Sequence, residues 1–243
     1  MSTDSHHQTL GRHHAAPYRY YDFIMAGFVT LLLLSNLIGA GKVATVDLPV
    51  FGEFSFGAAV LFFPLSYVIG DVLTEVYGYA RARRVVWAGV GAMLFMSFMS
   101  WAVVSMPPAD GWQGQAAYES VFGQTPRIVG ASLFAFWAGE LVNAYVMARM
   151  KVWTAGRHLW SRTIGSTFFG QGVDSLLFYP LAFWGVWPTD LLLMIMATNF
   201  ALKVSWEAVL TPVTYRVVAV LKAREQEDYF DEDTDFTPFK IKT

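Results

Sequence analysis

The chain has no cysteine in its 243 residues. Disulfides, thiolate chemistry and cysteine metal sites are therefore excluded. Charge is also scarce. Asp, Glu, Lys and Arg make up 15% of the residues, against about 25% in soluble domains. Histidine is nearly confined to the start, as His6, His7, His13 and His14, with His158 standing apart. No serine–histidine pair and no H-E-x-x-H run is visible, and no Walker A motif occurs. Catalysis and ATP hydrolysis by this chain are therefore not expected, nor is a cofactor or a metal. The first residues lack the apolar segment of a cleavable signal. They read as a disordered cytosolic tail over 1–21, in preference to a metal-binding histidine segment.

What remains is apolar. Hydrophobic residues make up 55% of the chain and aromatic residues 16%. They come in long blocks with charge between the blocks, which is the pattern of a polytopic membrane protein. Six blocks reach the ~20 residues that a bilayer requires, near 22–41, 56–78, 85–105, 128–149, 164–186 and 190–221. Pro212 should kink the last helix or end its regular part. The chain thus divides into an N-terminal tail over 1–21, an all-α membrane domain over 22–221 and an acidic tail over 222–243, read as solvated. A short surface helix is expected around 116–122, between the third and fourth blocks. Lys and Arg alternate between loops: Arg81, Arg83 and Arg84 follow the second block, and Arg149, Lys151, Arg157 and Arg162 follow the fourth. By the positive-inside rule both termini face the cytoplasm. Trp101, Trp112, Trp153, Trp160, Trp184 and Trp187 fall near the block ends, as an aromatic belt does.

The blocks are not uniformly apolar. An ionisable side chain in a membrane helix costs at least ~2.5–3.5 kcal/mol on insertion scales, yet this chain carries many. Asp71/Glu75 and Lys203/Glu207 are spaced i,i+4, and Glu140/Asn143 and Gln171/Asp174 are spaced i,i+3. Both spacings put the partners on one helical face. Asn36, Asn199 and Thr167 add to these polar stripes. Singly, each could be a structural salt bridge or an interhelical hydrogen bond. Together, five acids face one lysine, and excess carboxylates call for protons, cations or hydrogen-bond donors. A shared midplane chamber is expected, holding a small, planar, donor-rich solute stacked on rings such as Tyr67, Phe168, Phe178 or Trp206.

The ordered runs "SNLIGAGK", "GDVLTEVYGYARARR", "GELVNAYVMARMK", "RTIGSTFFGQGVDS" and "LKVSWEAVLTPVTY" resemble the queuosine precursor transporter family, of the vitamin uptake transporter type. The resemblance covers about residues 22–221. It implies six transmembrane helices in a fold similar to the substrate-binding subunits of energy-coupling-factor importers. It also implies an inner-membrane importer of 7-cyano- or 7-aminomethyl-7-deazaguanine (preQ0, preQ1) for tRNA modification. Its polar motif positions, carried onto this chain, are Asn36, Asp71, Thr74, Glu75, Glu140, Asn143, Gln171, Asp174 and Lys203. The expected partners are the base and the lipid bilayer, with no nucleic acid, and a homodimer is compatible. Two other readings stand beside it: a binding subunit that depends on a separate ATPase module, and a transporter of another planar nucleobase or vitamin. An intramembrane enzyme ranks below these.

Overall fold

In the computed structural model, residues 18–39, 43–48, 52–57, 61–123 and 126–240 are described. The histidine pairs of the N-terminal segment lie outside them. Six long helices form the body: α1 (Tyr21–Leu34), α2 (Phe63–Tyr77), α3 (Tyr79–Val104), α5 (Pro126–Trp153), α6 (Leu159–Phe183) and α7 (Thr189–Glu225). A π-helical turn at Ser35–Gly39 prolongs α1, and the short helix α4 (Gln115–Phe122) falls where a surface helix is expected. Pro212 does not end α7, which runs through it to Glu225. One element departs from an all-helical reading. Val43–Leu48 (β1) and Gly52–Gly57 (β2) form an antiparallel hairpin. The second apolar block, placed from residue 56, thus begins within β2, and its α-helix α2 runs over Phe63–Tyr77.

The surface and the interior exchange their usual roles. Phe23, Phe95, Phe98, Phe169, Leu176, Met194 and Val209 are exposed, while Asp71, Glu75, Arg83, Lys151, Arg162 and Glu207 are buried. In water such an apolar exterior would drive aggregation; against lipid chains it carries no penalty. Among the described residues, four stretches are long and apolar enough to cross a membrane: Tyr21–Ile38, Tyr79–Val104, Gln115–Trp153 and Thr189–Glu225. The two remaining long helices, α2 and α6, carry Asp71, Glu75, Arg162, Gln171 and Asp174 in their 15 and 25 residues. Their polarity is sheltered by neighbours: α2 packs on α1, α3, α5 and α7, and α6 lies between α5 and α7.

The α5–α6 contact is the closest. A methyl group at Gly170 would lie 2.7 Å from Asn143 Cβ and 2.9 Å from the Gly139 carbonyl, and one at Gly139 would lie 2.9 Å from Asp174 Cβ. The two backbones therefore touch, as small residues permit in membrane helix pairs. Another glycine turns the chain from α2 into α3. Gly78 has φ +84°, and the Tyr229 ring fills the space beside its Cα.

That ring belongs to the C-terminal segment, which is not solvated as expected. Residues 226–240 pack across one end of the bundle. Asp231 is buried and accepts the Tyr79 N–H through both oxygens, at 3.0 and 3.1 Å. It thus caps the free donors at the start of α3. Arg83 donates to the Asp235 and Thr237 carbonyls, and Trp87 Nε1 donates to the Pro238 carbonyl at 2.8 Å. Phe236 packs on Tyr79 and Tyr145, and Phe239 on Trp87 and Trp137. Some of the acids that make this segment look disordered in composition, Glu227, Asp228 and Asp231, are groups that dock it.

Two outcomes follow. Gly170→Ala should lower stability by about 1–3 kcal/mol, the cost of overpacking, read as a reduced thermal midpoint in detergent; an unchanged midpoint would refute the backbone contact. Asp231→Ala should remove a cap worth about 1 kcal/mol and speed proteolysis within 226–240, whereas equal cleavage rates would show that the segment is not held there.

Candidate functional site

The polar side chains fall into three layers along the bundle. The first joins α5, α6 and α7. Lys203 Nζ lies 2.8 Å from Asp174 Oδ2, with both side chains partly accessible. The Glu140 carboxylate feels the charges of both, and its Oε2 sits against Gly70 of α2, 3.4 Å from where a methyl group there would be. Tyr179 hydrogen-bonds with Asn199 and lies close enough to Asp174 to sense its charge.

The second layer is buried at the meeting of α2, α5, α6 and α7. Asn143 Nδ2 donates to Asp71 Oδ1 at 3.0 Å, and the Tyr67 hydroxyl donates to Gln171 Oε1 at 3.3 Å. Glu207, Glu140 and Glu75 lie near enough to Asp71 for their charges to act on it. Four oxygens here are buried with no hydrogen-bond partner among the described residues: Asp71 Oδ2, Asn143 Oδ1 and both carboxylate oxygens of Glu207. Native interiors rarely tolerate such atoms unless function requires them. Beside them, Phe28, Gly70, Thr74, Val85, Glu140 and Asn143 line a cavity of roughly one water molecule.

The third layer is an ion network. Glu75, fully buried, receives Arg162 through Nε at 3.2 Å and Nη2 at 2.9 Å, and Lys222 Nζ at 2.7 Å. Lys151 Nζ lies 3.7 Å from the same carboxylate and donates to the Glu75 and Tyr229 carbonyls. Asp228 of the docked segment bridges Lys151 and Lys222 at 2.5 and 2.7 Å. Burial pushes the Asp228 carboxyl up, but the hydrogen bonds from the two lysines outweigh it and hold it below the ordinary carboxylate range.

Of the residues expected at a site, Asp71, Glu140, Asn143, Gln171, Asp174 and Lys203 converge in the first two layers, and Thr74 lines the cavity beside them. Glu75 sits in the ion network instead. Asn36 hydrogen-bonds within its own helix, to the Leu32 carbonyl at 2.9 Å. Tyr67 is buried in the second layer, whereas Phe168 and Trp206 are exposed; Phe168 lines an apolar groove between α6 and α7 with Phe169, Val173, Met196 and Phe200. Among the described residues the one polar side chain lining that groove is the Ser175 hydroxyl. Reading Lys151, Arg162 and Arg83 as loop charges missed their burial, and Glu207 was left out of the expected set. The signal for Glu207 was its i,i+4 relation to Lys203.

An apolar exterior around a polar, multi-helix interior defines a multi-pass membrane protein. The chain belongs to the family described as "Putative vitamin uptake transporter", which matches residues 57–217. It is 32% identical to the "Probable queuosine precursor transporter" of Bacillus subtilis (strain 168), over 79% of this chain and 81% of that protein. It is 29% identical to the "Queuosine precursor transporter" of Escherichia coli (strain K12), over 50% and 52% of the two chains. A "Probable queuosine precursor transporter" of Haemophilus influenzae (strain ATCC 51907 / DSM 11121 / KW20 / Rd) is 25% identical over 54% of each. The last two matches thus span about half the length of those relatives. No solved structure matches.

Glu75→Gln should leave the buried Arg162 without its anion, and Lys151 and Lys222 with Asp228 alone, and cost about 3–5 kcal/mol, read as a lower thermal midpoint and a smaller folded yield. A variant as stable as the parent would show that the network contributes nothing net.

Proposed function

We propose that this chain imports a 7-deazaguanine base, preQ0 or preQ1, for tRNA modification. One observation carries the reading: buried acceptor oxygens without donors cluster between α2, α5 and α7. A guanine-like edge supplies what they lack, a ring N–H and an exocyclic NH2 beside a carbonyl. A carboxylate accepts both donors at once, and Asp71 with Asn143 is placed to do so. The ring carbonyl needs a donor, which the Gln171 amide or the Lys203 ammonium provides. Tyr67 offers a ring face at the same level, and base stacking on an aromatic residue is worth about 1–3 kcal/mol. The cationic aminomethyl group of preQ1 suits a further carboxylate such as Glu140. The cavity at Thr74 and Glu140 is too small for a base, so the helices must part to admit one.

The wider reading is an inner-membrane protein with both termini in the cytoplasm, supported by Arg81, Arg83, Arg84, Arg157, Lys222 and Arg224 near the helix ends where the C-terminal segment docks. Six long helices and the family's name support a fold of the energy-coupling-factor binding-subunit type. In a homodimer, two copies would meet through exposed apolar faces, and nucleic acid is not a partner.

The test uses a cell that cannot make the precursor. Supplied with preQ0 or preQ1, it should regain queuosine in its tRNA when this chain is expressed, and membrane-inserted protein with no recovery would overturn the substrate assignment. Asp174→Asn and Lys203→Ala should each reduce recovery at least tenfold at equal membrane levels; normal recovery in both would leave their pair a structural role.

A further inference from the structure

We propose that Asp71 and Glu207 form the proton-binding site of this transporter, with the proton on Glu207 and carried inward with the base. The proposal rests on the reading above for its substrate, but its first test does not. Both carboxyls are completely buried. Neither takes part in a salt bridge with the described residues, and each is within electrostatic reach of the other. Two carboxyls buried in the same layer are hard to keep ionised together, because each loses hydration and repels the other.

The groups that face the pair do not remove this conflict. From α2 come Tyr67, whose hydroxyl donates to Gln171, and Glu75, which is neutralised by Arg162, Lys151 and Lys222. From α5 come Asn143, which bonds only the Asp71 side of the pair, and Glu140, a further acid. From α6 comes Asp174, which binds Lys203 of α7 at 2.8 Å. On the other side of α2, Phe28 of α1 and Ala82, Val85 and Val86 of α3 are apolar.

The geometry also chooses between the two. Asp71 accepts one amide hydrogen bond, which favours its charged form. Glu207 accepts none on either oxygen among the described residues, and the shared proton is therefore assigned to it. A protonated carboxyl offers one O–H donor and remains an acceptor. The pair then presents a donor beside acceptors, the complement of a base edge that carries a carbonyl beside N–H groups. Base and proton each improve the other's binding, and linkage makes that reciprocal. The step balances simply: a proton from the outer solution binds the Glu207 carboxylate, crosses with the base and leaves to the inner solution.

Infrared spectra of the purified protein in lipid, without base and at neutral pH, should show the C=O stretch of a protonated carboxyl that Glu207→Gln removes. No difference between the two proteins overturns the site. A second measurement needs no variant. With neutral 7-cyano-7-deazaguanine as the probe, proteoliposomes should take it up several-fold faster under an inward proton gradient, and a lightly buffered medium should turn alkaline by about one proton per base, as for any one-to-one symport. Uptake that ignores the gradient, or that follows sodium instead, overturns proton coupling. Glu207→Gln should bring the ratio of uptake with and without the gradient close to one. If the infrared band is present but no base crosses, the substrate reading fails while the proton site stands.

Discussion

One carboxylate holds the end of this bundle together. Glu75 of α2 is buried among Arg162 of α6, Lys222 of α7 and Lys151 of α5. Burying a single ion pair commonly costs as much as it returns. Here one anion answers three cations, and the surplus positive charge is met by Asp228 and by the carbonyls of Glu75, Tyr229 and Arg157. Removing Glu75 would strand the buried Arg162 in a medium that cannot solvate it. The network therefore ties four helices and the C-terminal segment into one unit. The docking of residues 226–240, the cap on α3 and the Tyr229 ring against Gly78 all depend on that end staying assembled.

The middle of the bundle is built on a different constraint. Gly139 and Gly170 bring the α5 and α6 backbones into contact, which places Asn143 and Asp174 at the crossing. Fixed backbones prevent the polar side chains from relaxing toward one another to satisfy every acceptor. The second layer accordingly keeps four unsatisfied oxygens where the third layer keeps none on Glu75. Unmet acceptors are costly in low dielectric. The unmet acceptors thus lie in a layer apart from the network that satisfies Glu75.

Much of this was legible in the sequence. Six apolar blocks gave the six long helices, and the i,i+3 and i,i+4 spacings correctly placed Glu140, Asn143, Gln171 and Asp174 on inward faces. Spacing within a helix could not show which partner each group finds across helices. Asp71 and Glu75 share a face, yet one bonds an amide and the other three cations. Lys151, Arg162 and Arg83 look like loop charges because they lie at block ends, but long side chains there reach back into the bundle. The acidic tail has too few apolar residues to read as packed. Its Phe230, Phe236 and Phe239 are spaced irregularly, so no helical or strand period betrays the docking. The hairpin was hidden because β1 and β2 border an apolar block and extend its composition.

The relation between Lys203 and Glu207 shows why the excess of acid matters. One helical turn apart on α7, they read as a salt bridge, and an isolated helix would make one. Asp174, set by the glycine contact of α5 with α6, takes Lys203 at 2.8 Å instead. Glu207 is left without a cation in a layer that already holds Asp71. Had the chain only to hold its helices together, the nearest lysine would have neutralised Glu207, as Arg162 and the two lysines neutralise Glu75. The arrangement instead places an acid–lysine pair in the partly accessible first layer and leaves Asp71 and Glu207 without a cation among the described residues in the buried second one. A donor that arrives from outside, whether a proton or the edge of a base, is what such a layer lacks.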